Sequence, residues 1–498
     1  VVSRLTPFPS RSTPFILPPS SFILAKMDTF HALLASLFAL LVLGFSLYSA
    51  GHALLYKRDT RAVIAWVGFI MLMPLGGSIL YWLLGVNRIK HRARALREAA
   101  GHGRLPQPVA PPLIDPRWRP LKRAGDALSP FPYSGGNLME PLLNGEAAYP
   151  AMLQAIESAS HSIALATYIF DHDSTGAQFR DALIRAHERG VTVRVLIDGV
   201  GVRYSRRSMQ RALRRAGIAA RLFLPMHLPL SLAAFNLRNH RKLLVVDGHT
   251  GFTGGMNLRA GHNLETAIRH PVQDLHFRVK GPVVAQMQRV FADDWHFAGG
   301  DLLEGEDWFP ALSWAGNSAA RGVPDGPDED FETLRQLILA ALAEARESIT
   351  VVTPYFLPDG SLISALNSAA LRGLRVDILL PQRGNLRLVQ WASQAMHWQL
   401  LERGCHIWLT PPPFDHSKLM IVDGQWLLLG SANWDPRSLR LNFEFNLECL
   451  DPELGRQMED WVEGRKQEAR PVSLAESQGY SVPVRLRNGA ARLLTPYL

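Results

Sequence analysis

The chain has 498 residues, room for about three folding units at roughly 150 residues each, and 47% hydrophobic content excludes a disordered chain. Charged residues reach only 19%, below the roughly 25% usual for soluble domains, so part of the chain avoids water. Fifty-three Lys and Arg against 44 Asp and Glu leave a charge of +9. That surplus suits anionic lipid, nucleic acid or phosphorylated substrates and cannot choose among them. The two cysteines, Cys405 and Cys449, exclude a disulfide framework and fit a reducing compartment for the soluble part.

Residues 1–26 are rich in Pro and Ser and keep no helical or strand period. They are read as a disordered or upstream segment, with Met27 as the natural start. Thr29–Tyr56 holds no charged side chain over 28 positions and Ala62–Asn87 none over 26, each enough to cross an apolar layer of about 30 Å. Residues 27–87 therefore predict a two-helix transmembrane hairpin. Arg88, Lys90, Arg92, Arg94 and Arg97 follow it closely, against Lys57, Arg58, Asp59 and Arg61 in the connector. The denser basic cluster predicts that both termini and the large C-terminal region stay cytoplasmic. Residues 88–140 read as a basic juxtamembrane stretch with a Pro-rich linker, Leu105–Pro120.

The remainder falls into two halves, 141–321 and 322–498. In the first, an apolar run Ser162–Phe170 predicts a buried strand, Ala177–Arg189 a helix stopped by Gly190, and Val191–Ile197 a second strand. The second half repeats that order with a strand over Ser348–Phe356, a helix ending near Gly373, and a strand over Leu374–Leu380. Strands alternating with helices indicate an α/β layered domain used twice. The turn formers of Gly322–Asp328 predict the boundary.

Each half holds one H-x-K-x4-D string: His240, Lys242 and Asp247, then His416, Lys418 and Asp423. Seven residues after each Asp stand Gly254 and Gly430, and ten after stand Asn257 and Asn433. One string alone is weak; two with matched trailers are strong. On strands over Leu243–Val246 and Leu419–Val422, His and Lys emerge on one face and the Asp on the other. Imidazole and ammonium then share a site, the Lys as a point charge for phosphate and the imidazole as a nucleophile toward phosphorus. Asp247 and Asp423 read as scaffold. Gly254, Gly255 and Gly430 predict close approach of a substrate oxyanion to backbone N–H groups, with the Asn side chains as added donors.

The paired strings, with G-G-x-N after the first and G-S-x-N (Gly430, Ser431) after the second, resemble the phospholipase D superfamily. AGHALLYKRDTRAVIAW, FNLRNHRKLLVVDG and SANWDPRSLRLNFEFNLE are similar to bacterial cardiolipin synthases within it, over essentially Ala50–Glu448. The resemblance implies an α/β fold of two phospholipase D-like sandwich domains forming a pseudo-dimer with one site between them and no metal or cofactor. It implies that the six motif residues form the catalytic set, that Asn257, Asn433, Gly254, Gly255, Gly430 and Ser431 bind substrate, and that Asp274 and Glu444 support the histidines. Trp434 stands where the family has a smaller apolar residue.

The family chemistry has one His attack a lipid phosphorus while the other protonates the leaving headgroup. His240 is assigned as nucleophile and His416 as general acid and base, following the usual order. The implied substrate is the anionic phospholipid phosphatidylglycerol, two molecules giving cardiolipin and glycerol on a bacterial inner membrane. The alternatives are a membrane-bound phospholipase D that hydrolyses lipids or exchanges headgroups, and a non-catalytic scaffold binding anionic lipid. No nucleic acid partner is expected, because no basic and aromatic platform for stacking bases is visible. The apolar stretch Leu222–Phe235 predicts a water shield or membrane-dipping loop. Arg203, Arg206, Arg207, Arg211, Arg214 and Arg215 predict a basic helix for headgroups. Asp171, Asp173, Tyr355 and Asp359 are pocket-lining candidates.

Overall fold

The fold is that of a computed structural model, which describes residues 20–57, 60–85, 114–204, 208–225, 237–267, 270–326 and 332–495. The chain divides into two units, 1–87 and 88–498. In the first, a helix runs from Ser20 to Tyr56, so helical backbone begins seven residues before Met27. Its stretch Thr29–Tyr56 is long and apolar enough to cross a membrane.

The second apolar segment departs from the expected hairpin arm. It forms Thr60–Leu72, breaks at Met73, and continues as Pro74–Leu80 and a π turn Tyr81–Gly85. Proline has no N–H to continue the ladder and its ring crowds the preceding turn. The chain then doubles back: a Cβ on Gly77 would sit 2.7 Å from the Phe69 carbonyl oxygen. Ser46 donates to the Pro74 carbonyl at 2.9 Å and Trp82 to Ser49 at 3.0 Å, so side chains satisfy groups at the break. The basic cluster 88–97, residues 1–19 and the stretch 226–236 lie outside the described residues.

In the second unit the first half supplies strands β1 (Ser134–Leu143), β2 (Ser162–Thr167), β3 (Thr192–Asp198), β4 (Ala219–Phe223), β5 (Leu243–Val246), β6 (Thr250–Gly254), β7 (Val272–Gln273) and β8 (Leu275–Lys280). The second half supplies β9 (Ser318–Asp325), β10 (Ser348–Val352), β11 (Arg375–Pro381), β12 (His406–Thr410), β13 (Phe414–Asp415), β14 (Leu419–Val422), β15 (Trp426–Gly430), β16 (Glu444–Leu450) and β17 (Arg470–Pro471). Among the described residues fifteen strands make one sheet, in the order β4-β3-β2-β5-β6-β8-β1-β9-β16-β15-β14-β10-β11-β12-β17. Apart from β17 the order reads the same from either end, as a duplication requires. β2 is buried at every position and β10 at all but its first, the mark of strands covered on both faces.

The halves meet at β1 and β9, antiparallel, with Ser134 opposite Ala320. Gly322–Asp325 are therefore strand, not the expected boundary turn, because β9 is fully buried between β1 and β16. The repeat begins at β1 and β9 rather than at 141 and 322. The expected linker also folds from Ile114. Its helix Arg119–Leu128 buries Leu121, with Trp118 just ahead, in the core of the second half. Helices Ser174–Glu188 and Gly360–Leu371 are capped by Asp173 and Asp359. The second ends ahead of Gly373, the first ahead of Gly190, both glycines at positive φ near 90°, where a Cβ is disfavoured.

Candidate active site

Each H-x-K-x4-D motif lies where a strand begins, and the segment just before it pairs with the other half. Asn239 bridges Phe443 in parallel, and the His240 amide donates to the Phe443 carbonyl at 2.9 Å. Asp415 pairs Gln273, and the His416 amide donates to the Gln273 carbonyl at 2.8 Å. The residue after each partner is a carboxylate. His240 Nδ1 thus meets Glu444 Oε2 at 3.0 Å, and His416 Nδ1 meets Asp274 Oδ2 at 2.9 Å. The pairs are crossed: each half carries the carboxylate for the other's histidine. That leaves each Nε2 to the reaction, with the proton of a neutral ring held on Nδ1.

Both lysines are buried and donate to the carbonyl of their own histidine, Lys242 at 2.6 Å and Lys418 likewise. Burial lowers Lys242 to about 7 and Lys418 to about 8. Burial also lowers both histidines, His416 further, with Lys418 and Lys242 adding to it. Glu444 stays below the ordinary carboxylate range: burial pushes it up, and His240, Lys242 and the Ser431 hydrogen bond together outweigh that. Asp274 is raised by burial, only partly offset by Lys418. The charge on His240 acts on His416, so the two rings share one electrostatic site.

Asp247 and Asp423 are apart from this chemistry. Each stands at positive φ, 50° and 51°, five residues past its lysine. Asp247 accepts from the backbone of Ser160, His161 and Ser162 at 2.7 to 2.9 Å. Asp423 accepts from Arg346, Glu347 and Ser348 and pairs with Arg117. They tie the start of β2 and of β10 to the motif strand, in keeping with the scaffold reading of the spacing rather than with the catalytic set that the resemblance implied.

Two of the expected oxyanion donors are engaged within the protein. The Gly255 and Ser431 amides donate to the carbonyls of Leu275 and Phe445, both at 3.1 Å. Gly254 and Gly430, at φ +150° and +154°, are needed because a Cβ there would meet Leu275 O at 2.6 Å and Phe445 O at 2.4 Å. A Cβ on Gly255 would lie 2.1 Å from Asp274 Oδ1. In the other half the equivalent Ser431 donates to Glu444 Oε2 at 2.5 Å and Asn442 donates to Oε1 at 3.1 Å. The shorter Asp274 thus faces a glycine and the longer Glu444 a serine. Asn257 accepts from the Ile169 amide at 3.1 Å through Oδ1, and Asn433 donates to Ser438 at 3.1 Å.

Of the pocket candidates only Tyr355 reaches the site, its ring 6.1 Å from that of His416. Asp173 and Asp359 are helix caps, and Asp171 pairs with Arg259. The basic stretch is a short 3-10 turn, Gly201–Tyr204, and a separate helix, Met209–Arg215, not one helix; Arg206 and Arg207 lie outside the described residues. Trp434 is core, stacked on Phe356 at 6.0 Å. Sequence reasoning missed Tyr168, the counterpart of Tyr355, whose ring is 5.4 Å from His240. A tyrosine closing the first strand of both halves was the available signal. It also missed His262, buried with Nδ1 3.9 Å from Asp274 Oδ2, for which no repeated signal exists.

Residues 152–295 and 338–465 match the family model "Cardiolipin synthase, PLD-like domain", and residues 44–85 match "Phospholipase D-nuclease N-terminal". The chain is 32% identical over 455 residues to a cardiolipin synthase of Geobacillus kaustophilus, covering 89% of this chain and 90% of that one. It is 30% identical over 460 residues to cardiolipin synthase 1 of Bacillus anthracis, covering 89% and 90%. The crystal structure of phosphatidylserine synthase from Haemophilus influenzae shares the fold at TM-score 0.58 and 16% identity, covering 76% of this chain and all of that one. With the duplicated sheet and the paired motifs, these matches place the chain in the cardiolipin synthase family, the branch built on phospholipase D-like domains.

Proposed function

We propose that the protein joins two phosphatidylglycerol molecules into cardiolipin by way of a phosphatidyl-histidine. The crossed pairs His240–Glu444 and His416–Asp274 carry this reading, because they orient two imidazoles from separate halves by their Nδ1 atoms. In the first step His240 Nε2 attacks the donor phosphorus. An N–P bond forms, the P–O bond to glycerol breaks, and a proton passes from His416 Nε2 to the departing oxygen. In the second step the acceptor hydroxyl gives its proton to His416, its oxygen bonds to phosphorus, and the N–P bond breaks.

The two carboxylates support that division of labour. A ring bonded to phosphorus at Nε2 and protonated at Nδ1 carries a positive charge, which the ionised Glu444 stabilises. Lys242 and Lys418 hold the nonbridging oxygens. Burial, with the Lys418 and Lys242 charges, holds His416 well below the ordinary imidazole range in the free protein; the phosphodiester charge between the two lysines is what raises it into an acid.

The setting is a bacterial cytoplasmic membrane, with the catalytic region on the cytoplasmic side, supported by the apolar helix and the basic residues after it. Purified protein in phosphatidylglycerol vesicles tests the activity: cardiolipin with equimolar glycerol is expected, and phosphatidic acid as the sole product overturns it.

A further inference from the structure

Behind Tyr355, as seen from His416, the second half holds a cleft of about 260 Å³. It lies beyond the carboxyl ends of β10, β11 and β12, the place where parallel α/β sheets ordinarily take ligands. Tyr355 forms its wall on the catalytic side and sets its ring 6.1 Å from that of His416. Leu386, half exposed, marks the outer rim. Gln390 secures that rim by donating to the Gln382 carbonyl at 2.8 Å and accepting from the Gly384 amide at 3.3 Å.

The far wall is unique to one half. After the last helix of the repeat, Pro452–Glu468, the chain adds β17 to the edge of the sheet and continues through helices Leu474–Gln478 and Val482–Leu493. This segment supplies Arg470, Val472, Glu476 and Tyr480 to the cavity. It lies beyond the family match, which stops at 465. The first half runs from its own last helix, Val284–Phe297, towards β9 instead.

The lining selects a neutral, hydroxylated ligand. Arg470 is engaged by both oxygens of Glu476, at 2.6 and 3.0 Å, so its charge is compensated. Burial holds His397 neutral, lowered to about 4. Gln382 and Tyr480 offer hydrogen bonds among apolar walls of Phe356, Leu380 and Leu409. The volume is below the usual range for whole drug-sized ligands and suits a small polar headgroup rather than a lipid with its chains.

We infer that this cavity is a glycerol subsite, and this rests on the transfer reaction proposed above. Both alcohols of that reaction are glycerol groups, one leaving as free glycerol and one arriving on the acceptor lipid. Both exchange a proton with His416, so microscopic reversibility places them in one subsite beside that ring. The cavity holds the polyol while its reacting hydroxyl reaches past Tyr355 to Nε2.

Phosphatidyl-p-nitrophenol as donor tests this, since release of p-nitrophenol counts every turnover. The intermediate then partitions among water, free glycerol and phosphatidylglycerol, and that product ratio does not depend on how much protein is folded. In the wild type, glycerol should outcompete 1-propanol of equal concentration about tenfold. Tyr480→Phe and Gln382→Leu should each lower both glycerol products relative to phosphatidic acid by about tenfold. Equal use of glycerol and 1-propanol by the wild type, or variant ratios that fall for neither or only one glycerol product, overturns the subsite. A wild type that forms cardiolipin from phosphatidylglycerol in the same vesicles keeps the transfer reading intact even then; one that gives only phosphatidic acid overturns that reading instead.

Discussion

Asp274, from the first half of the chain, holds the imidazole of His416, from the second, with 2.9 Å between Oδ2 and Nδ1. Glu444 returns the arrangement to His240 at 3.0 Å. Neither half therefore contains both members of a histidine–carboxylate pair, and the site exists only where the two meet.

Replacing Asp274 or Glu444 by its amide keeps the shape but lets the wrong ring nitrogen carry the proton. Asp274→Asn and Glu444→Gln are each expected to lower kcat by about 10³ to 10⁴ with little change in KM. Steady-state kinetics on phosphatidylglycerol vesicles with unchanged circular dichroism checks this, and an effect under tenfold contradicts an orienting role.

The two histidines should separate by covalent trapping. His240→Ala should give no phosphatidyl adduct with any donor. His416→Ala should still accumulate an adduct from phosphatidyl-p-nitrophenol, whose leaving group needs no proton. Intact-mass spectrometry reads both, and an adduct on the His240→Ala protein reverses the assignment.

Lys242 at about 7 and Lys418 at about 8 set a pH window for the free protein. Both values lie below the ordinary lysine range, so the folded state binds fewer protons than the unfolded one between about pH 7 and 10. Stability contributed by these groups rises with pH across that interval. Phosphate affinity runs the other way, because the ammonium charge is lost as pH rises through the folded values. Lys242→Met should raise the midpoint of thermal unfolding near pH 6, by roughly 1–3 kcal/mol of stability, while abolishing turnover. Calorimetry of the two proteins at pH 6 and 9 tests the sign.

Asp274 has fewer side-chain donors than Glu444. Ser431 and Asn442 both serve Glu444, whereas beside Asp274 the Leu275 amide donates at 2.9 Å and the His262 ring stands at 3.9 Å. Its Nε2 accepts from the Asn257 amide at 3.4 Å, which leaves the Nδ1 proton of the neutral ring as the dipole nearest the carboxylate, at 3.9 Å and beyond hydrogen-bond reach. His262→Ala should make that carboxylate and His416 more basic, moving the alkaline limb of kcat up by about half a pH unit to one. His262→Asn, which keeps a donor, should move it less. A pH profile unchanged in His262→Ala removes this role.

Gly255→Ala puts a methyl group 2.1 Å from Asp274 Oδ1. The carboxylate must swing away from His416, so activity should fall about 10²-fold with the fold intact. Ser431→Gly is milder, removing one hydrogen bond to Glu444 and costing about 1–3 kcal/mol.

Local pattern made much of this molecule legible. Strands β2, β3, β10 and β11 fall within a few residues of their expected positions, since runs such as Ser162–Thr167 are apolar throughout and end at turn residues. The His–Lys spacing was visible because a duplicated string marks itself; the downstream acids Asp274 and Glu444 followed only from the family resemblance, since they stand 17 and 11 residues past Asn257 and Asn433. The break at Met73–Pro74 was misjudged because absence of charge says nothing about helix continuity. Gly322–Asp325 misled because Gly, Pro and Asp are ordinary turn formers, yet burial between β1 and β16 made them strand.

The residues alone indicated the reacting groups: two imidazoles and two ammonium groups, each His and Lys spaced two apart so that they share one face of a strand. Only tertiary structure decided which carboxylate serves which ring. Spacing along a chain constrains neighbours within a few residues, whereas His416 and Asp274 are 142 positions apart and meet through strand pairing between halves. The same holds for the cavity beside Tyr355, whose outer wall comes from a segment about 120 residues further on, carried there by the edge pairing of β17 with β12.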